Sequence, residues 1–182
     1  QQLFSIIEAA QMALSLSDDA EMTVEANPAT ADQSKLEALM TAGVNRISFG
    51  VQDFALPVQI KINRLQTYGL VAHVTALLRE AGFTSINFDL MYGLPAQTVS
   101  SVRQTAKQAA ALRPDRISVF GYAHVPWFKK HQRMISDAEL PGVSERYEQA
   151  SAIAEELGHA GYIAIGLDHF ALPDDPLAMA AS

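Results

Sequence analysis

Hydrophobic and polar residues alternate along this chain with two periods, one typical of strands and one typical of helices. The clearest strand-like stretch lies between residues 85 and 95. Its apolar side chains are Ile86, Phe88 and Leu90, one at every second position, and the turn residues Gly93 and Pro95 end it. This period of two predicts a half-buried strand.

Helical and strand-like segments follow one another along the chain. Helical spacing of apolar residues predicts helices over residues 3–14, 34–42, 70–81, 99–112 and 144–159. Strands are predicted over residues 22–28, 46–53, 85–95, 116–124 and 163–169, each counted with its polar tail or closing turn. Residues 125–143 show neither period clearly, so we expect an irregular or partly helical segment there.

This alternation predicts the fold class. Strands that alternate with helices favour an α/β fold with a parallel sheet of βα repeats and right-handed crossovers. Five strands are too few to close an eight-stranded barrel. The alternatives are therefore an open sheet and an incomplete, TIM-type barrel, in either case as a single domain over residues 1–182.

A polar residue comes at or near the end of each predicted strand. These residues are Glu25, Gln52, Asp89, His124 and the pair Asp168–His169. The carboxyl ends of parallel strands meet at one edge of the sheet, where ligands bind in α/β folds. A carboxylate is also costly to bury without a partner. We therefore predict a ligand site at this edge, although each residue taken alone is equally consistent with a hydrogen-bonded structural group.

Two further groups of residues could add chemistry. A metal site is one hypothesis, because neutral imidazole and carboxylate are natural ligands; it would use His124, Asp168, His169 and Glu25. The basic run at residues 129–133 is either a solvated surface or a clamp for carboxylates. The aromatic residues just before it, Trp127 and Phe128, either pack or contact a flat apolar ligand.

Composition narrows the function classes. The chain has 182 residues and a net charge of −7, and it has no basic patch of the kind that nonspecific nucleic-acid binding requires. No apolar run reaches membrane-spanning length, so we expect no membrane association. The chain has no cysteine, which excludes disulfides and thiolate metal sites within it and is compatible with a cytoplasmic location. Phosphate-binding loops and nucleophile elbows are also absent.

Several segments then occur in an order and spacing found in one family: Glu25–Pro28, Gly43–Phe54, Asn63–Arg64 and Phe88–Thr98. The chain resembles oxygen-independent coproporphyrinogen III oxidase, a radical SAM enzyme of haem biosynthesis. The segments that favour this oxidase over its relative, the haem chaperone, are Tyr122–Pro126, Gln132–Arg133 and Gly166–Asp175. The chaperone, which binds haem without oxidase activity, is the alternative within the family.

The resemblance implies a specific reaction. Members of the family use two molecules of S-adenosylmethionine (SAM), a 4Fe-4S cluster and an electron donor. A 5′-deoxyadenosyl radical takes hydrogen from propionate side chains of coproporphyrinogen III, and two decarboxylations give protoporphyrinogen IX. By position, Glu25 matches a contact to the first SAM. The matches to contacts with the second SAM are Gln52, Arg64, Asp89 and Ala123.

The chain also departs from the family. The cluster motif C-x-x-x-C-x-x-C, the glycine-rich SAM-binding segment and the C-terminal domain are absent. We therefore expect a fragment of the radical SAM barrel that is inactive as an oxidase by itself. A third hypothesis, from a different class, is a metal-dependent barrel hydrolase built on Asp89, His124, Asp168 and His169.

Overall fold

A sheet of six strands forms the centre of the structure, a computed structural model that describes residues 2–14, 16–17 and 20–181. The strands lie in the order β1-β2-β3-β4-β6-β5. Their bounds are β1 Thr23–Ala26, β2 Arg46–Gln52, β3 Ser85–Tyr92, β4 Arg116–Gly121, β5 Ile163–Gly166 and β6 His169–Ala171. The first four strands are parallel to one another, which confirms the predicted α/β class with a mostly parallel, open sheet.

Helices connect the parallel strands as predicted. In chain order, the α-helices of the described residues are α1 Gln2–Ala13, α2 Gln33–Thr41, α3 Leu56–Lys61, α4 Tyr68–Ala81, α5 Val99–Ala111, α6 Val143–His159 and α7 Pro176–Ala181. Of these, α2 to α5 lie between parallel strands. Local chemistry fixes several ends: Thr98 and Ser101 form a capping box at the start of α5, and Gly82 ends α4 with a φ of 95°. Residues 125–142 contain only two short 3-10 turns, in agreement with the irregular segment expected there.

One face of the sheet carries the hydrophobic core. The side chains that alternate onto this face from β2, β3 and β4 are fully buried: Ile47, Phe49, Ile86, Phe88 and Ile117. Side chains of α2, α4, α5 and α6 pack against them in one cluster. Burying each such side chain contributes about 1.5–3 kcal/mol, so this face supplies much of the stability.

The opposite face of the sheet is polar. Its amino-terminal end is closed by ion pairs in which Glu21 binds both Arg46 and Arg116, at 2.9 and 3.0 Å. Arg116 also binds the buried Asp175 at 2.8 Å. These charges neutralise one another. Among the described residues, the amino-terminal end of the polar face therefore leaves no buried charge unpaired.

The prediction of one last strand over residues 163–169 is wrong in its details. Residues 163–169 form β5, a turn and the start of β6, and β6 runs antiparallel to both β4 and β5. The chain reverses because Gly166 and Leu167 have φ angles of 125° and 48°. The turn is held to β4 by Val119, whose N–H donates to the carbonyl oxygen of Asp168 at 2.7 Å.

Candidate functional site

A cavity of about 450 Å³ opens on the polar face of the sheet. Four residues predicted from the strand ends line it, namely Glu25, Gln52, Asp89 and His169. They come from β1, the end of β2, β3 and β6. The sheet register therefore brings most of the predicted strand-end groups into one site.

Asp89 lies at the centre of a hydrogen-bond network in this cavity. Ser48 donates its hydroxyl to Asp89 Oδ2 at 2.9 Å, and Asn87 donates its amide to Asp89 Oδ1 at 2.8 Å. Burial raises the pKa of Asp89, and these two hydrogen bonds oppose that rise. The carboxyl is thus half-buried and oriented by its neighbours, while it still faces the cavity.

The network continues across the sheet to β6. The hydroxyl of Ser118 lies 3.3 Å from Asn87 Oδ1 and 3.0 Å from His169 Nδ1. The ring of Phe120 packs edge-on against the imidazole of His169, with 6.1 Å between the ring centroids. Positive charge on His169 would lower the pKa of Asp89, so the two groups are electrostatically coupled.

Gln52 and Arg64 meet at Gly50. Arg64 donates from Nη2 to the Gly50 carbonyl oxygen at 2.7 Å. A Cβ atom on Gly50 would lie 2.6 Å from Gln52 Nε2 and 3.2 Å from Arg64 Nη2, so a side chain at position 50 would force the Gln52 amide to move. Gln52 ends a register shift in β2 and has a φ of 65°, a left-handed conformation that few non-glycine residues adopt.

Arg64 also has an unused donor. Its Nε is buried and has no hydrogen-bond partner among the described residues. An unpaired buried donor costs free energy unless a ligand accepts from it. Arg64 lines a second, larger cavity of about 860 Å³, which Ala123 lines as well. The five residues implied by the resemblance are therefore divided between two cavities, and Gln52 and Arg64 approach each other where β2 ends.

The remaining strand-end residues lie elsewhere. His124 accepts or donates a hydrogen bond with the Tyr122 hydroxyl at 3.0 Å, and its Nε2 lies 3.0 Å from Asp137 Oδ1. The Asp168 side chain is exposed in the β5–β6 turn. Within residues 2–14, 16–17 and 20–181, no group of three or more carboxylate and imidazole side chains could hold a metal. The structure therefore offers no support for the metal-site and hydrolase hypotheses.

Asp53, which shares the tail of β2 with Gln52, is a structural group. It is 1% exposed and accepts hydrogen bonds from Gln97, Thr105 and the backbone of Ala55. Burial raises its pKa, and these hydrogen bonds oppose the rise. All of its partners belong to the protein, so it is not available to a ligand.

Three members of the hydrogen-bond network around Asp89 were not predicted from the sequence, namely Ser48, Asn87 and Ser118. Each alternates with fully buried apolar residues, as in Ile47-Ser48-Phe49 and Ile117-Ser118-Val119. The period-two pattern that predicted the strands could have found them, because small polar residues at alternate positions on adjacent strands face the same side.

The basic run at residues 129–133 lies partly in the wall of the larger cavity. Lys129 and His131 line the larger cavity. Trp127 and Phe128 do not line it; they are 76% and 73% exposed. Neither aromatic side chain is packed in the core, and neither forms the wall of a binding site in this structure.

Comparison with known proteins agrees with this geometry. The sequence profile of the Radical SAM superfamily matches residues 2–109, more than half of the chain. The chain belongs to the radical SAM superfamily. The partial barrel, with the cavity on its polar face, is therefore part of a radical SAM fold.

The chain is also similar to curated proteins named oxygen-independent coproporphyrinogen III oxidase. It is 51% identical to that of Bradyrhizobium diazoefficiens over 175 residues, which are 96% of this chain and 39% of the relative. It is 44% identical to that of a Synechocystis strain over 168 residues, or 92% of this chain and 36% of the relative. The chain thus spans about two fifths of the length of these relatives.

Solved structures show the same relationship. Coproporphyrinogen III oxidase from Escherichia coli superposes with a TM-score of 0.92 at 41% identity, over 98% of this chain and 41% of that one. Elp3 from Methanocaldococcus infernus superposes with a TM-score of 0.61 at 17% identity, which shows the fold alone. In the part of the chain that the structure describes, no helix is long and apolar enough to cross a membrane.

Proposed function

We propose that this chain forms part of the active site of an oxygen-independent coproporphyrinogen III oxidase. The reaction is the oxidative decarboxylation of two propionate side chains of coproporphyrinogen III to vinyl groups, which gives protoporphyrinogen IX. The observation that carries the proposal is the arrangement of Gln52, Arg64 and Asp89 around the end of β2 and the adjacent cavity. The names of the relatives support the substrate.

The residues of the site fit SAM. Arg64 offers a buried, unused Nε donor, which suits a carboxylate. Asp89 offers carboxylate oxygens that suit a hydroxyl or an ammonium group, and Gly50 leaves space for Gln52 beside Arg64. We assign Glu25 to a first SAM, and Gln52, Arg64, Asp89 and Ala123 to a second. When bound, SAM supplies the carbon radical that starts the reaction, and these residues orient it.

The residues of this chain do not fit a 4Fe-4S cluster. Such clusters are held by cysteine thiolates, and the chain contains no cysteine. We therefore assign the cluster, and the contact with an electron donor, to other parts of the complete protein, which we place in the cytoplasm. The domain formed by residues 1–182 is then one part of the barrel, and we expect no oxidase activity from it alone.

Complementation tests the proposal. The complete reading frame is expressed in a bacterium that lacks both coproporphyrinogen oxidases and grows only with added haem. We expect anaerobic growth without haem, and extracts should convert coproporphyrinogen III to protoporphyrinogen IX. Residues 1–182 alone should restore neither.

A test variant and a control variant examine the role of the cavity carboxylate. Asp89→Ala removes the cavity carboxylate and should abolish complementation, whereas Asp174→Ala changes an exposed carboxylate and should complement fully. A complete protein that binds haem tightly but never complements would contradict the proposal. That result would favour the haem chaperone branch instead.

A further inference from the structure

The larger cavity has a charge pattern opposite to that of the chain. Its lining includes Lys61, Arg64, Lys129 and His131, and it includes no aspartate or glutamate. The whole chain, in contrast, has a net charge of −7. A recess lined only by basic and neutral groups concentrates anions, even on an acidic protein.

Two of these basic groups already have partners. Lys61 forms an ion pair with Glu139, and Arg64 donates to the Gly50 carbonyl oxygen. Lys129 and His131 differ: among the described residues, no carboxylate lies within ion-pair distance of either. The Nζ of Lys129 lies 4.9 Å from the ring centroid of Phe128, a contact that leaves its positive charge unneutralised.

The protein fixes the segment that carries these two residues. Gln132 is 9% exposed, and its amide bridges two points beyond β4. It accepts from the Val125 N–H at 2.6 Å and donates to the Ala123 carbonyl at 3.0 Å. Lys129 and His131 are therefore held beside the cavity by the end of a core strand, which lowers the entropy cost of using them to bind a ligand.

Much of the remaining lining is apolar, beside polar groups such as Asn63 and Tyr122. Met91 and Leu94 contribute from the end of β3, and Met134 and Ile135 contribute from the segment after Gln132. The volume of about 860 Å³ is within the range of sites for organic ligands larger than an amino acid. The combination suits a ligand with an apolar body and several anionic groups at its periphery.

We infer that this cavity binds a substrate with several carboxylates, and that Lys129 and His131 are the residues that bind those carboxylates. The inference rests on the proposed function, in which the substrate is a tetrapyrrole with four propionate groups. Arg64 and Ala123, which we assign to the second SAM, line the same cavity. Lys129 and His131 line it from the segment that Gln132 holds to Ala123.

Binding of coproporphyrin III tests the inference. This stable tetracarboxylate is titrated into the chain, and its fluorescence reports the dissociation constant. The double variant Lys129→Gln/His131→Gln should bind about tenfold or more weakly, because it loses two charge-assisted contacts. The difference should shrink as salt is raised from about 0.05 to about 0.5 M, since exposed charges are screened.

Lys130→Gln is the matched control. Lys130 lies in the same basic run and is exposed, but it does not line the cavity, so this variant should bind within about twofold of the original chain. Because all three residues are exposed, thermal unfolding should be the same for every variant. The inference is wrong if the original chain does not bind coproporphyrin III, or if the double variant binds as well as Lys130→Gln.

Measurements on the complete enzyme separate this inference from the proposed function. If the enzyme oxidises coproporphyrinogen III and the double variant keeps the original KM, the inference fails while the proposed function stands. If no oxidation occurs but coproporphyrin binding still depends on Lys129 and His131, the proposed function fails and the polycarboxylate site stands. A double variant that loses affinity for SAM, and not for coproporphyrin III, would contradict the inference.

Discussion

The two faces of the sheet come from the same strands, yet they differ in almost every physical property. On the core face, the alternate side chains at the centre of β2, β3 and β4 are apolar and buried, as Phe49 and Phe88 are. On the cavity face, the alternate positions carry Ser48, Asn87 and Asp89. A period of two thus lets one segment of sequence form the core with one set of residues and line a polar cavity with the other.

The polar cavity face also has a free-energy cost, which comes from burying Asp89. Apolar side chains on the core face gain free energy by leaving water, whereas Asp89 loses hydration without forming an ion pair. Its pKa is raised for that reason, and Ser48 and Asn87 only partly compensate. The cavity face, where burial of a carboxylate is only partly offset, is therefore less stabilising than the core face.

The largest expected effect is on the core face. Phe88→Ala removes a fully buried ring and leaves a cavity, so the free energy of unfolding should fall by about 3–5 kcal/mol, as measured by urea denaturation. Phe128→Ala, at a residue that is 73% exposed, is the control and should stay within about 0.5 kcal/mol. Equal stability of the two variants would contradict this assignment of the core. Phe88→Leu, which leaves a smaller cavity, should fall between them.

An intermediate effect is expected at Asp53, where a carboxylate lies on the core side. Asp53→Ala leaves the amide of Gln97, the hydroxyl of Thr105 and the N–H of Ala55 without their acceptor. Unpaired buried donors should lower the free energy of unfolding by about 2–3 kcal/mol, again measured with urea. The loss stays below that of Phe88→Ala because removing the carboxyl also ends the cost of burying it.

Asp174→Ala serves as the control for Asp53, because Asp174 is exposed and should tolerate the change within about 0.5 kcal/mol. If Asp53→Ala were equally stable, its hydrogen bonds would add nothing to the fold. The two faces would then not differ in whether their carboxylates, Asp53 and Asp89, stabilise the fold.

The sequence predicts the parts of this molecule that depend on local pattern. Alternation in β3 is sufficient to predict the strand and its buried face. The placement of Asp89 with Glu25 and Gln52 follows from the prediction of a parallel sheet. Parallel strands place their carboxyl ends at one edge whatever the intervening loops do, which is why these three residues could be predicted without a structure.

The parts that depend on tertiary contact could not be predicted in this way. Arg64 reaches Gly50 from a loop, and only the resemblance to a family assigned it to the site. The sequence predicts that His124 ends the strand, but β4 ends three residues earlier, and His124 pairs with Asp137, thirteen residues further along. The β5–β6 hairpin looks like one strand because Gly166 and Leu167 lie within an apolar run, and the period gives no sign that the chain reverses there.

The smallest expected effect concerns Asp89 and pH. The pKa of Asp89 is raised above its ordinary value of 3.8, so the folded chain binds a proton more tightly there than the unfolded chain does. The free energy of unfolding contributed by this group must then fall as pH rises from about 3.8 through the raised pKa. Asp89→Asn cannot titrate and should lose this part of the pH dependence.

Urea denaturation of both proteins between about pH 4 and pH 7 measures this difference. Asp53 titrates in the same direction, but it is present in both proteins, so the difference between the two curves isolates Asp89. At pH 7 the Asn variant should be as stable as the original or more stable by up to about 1 kcal/mol. A variant whose stability relative to the original falls steadily with rising pH would mean that the Asp89 carboxylate stabilises the fold, and that the cavity face is not held at a cost.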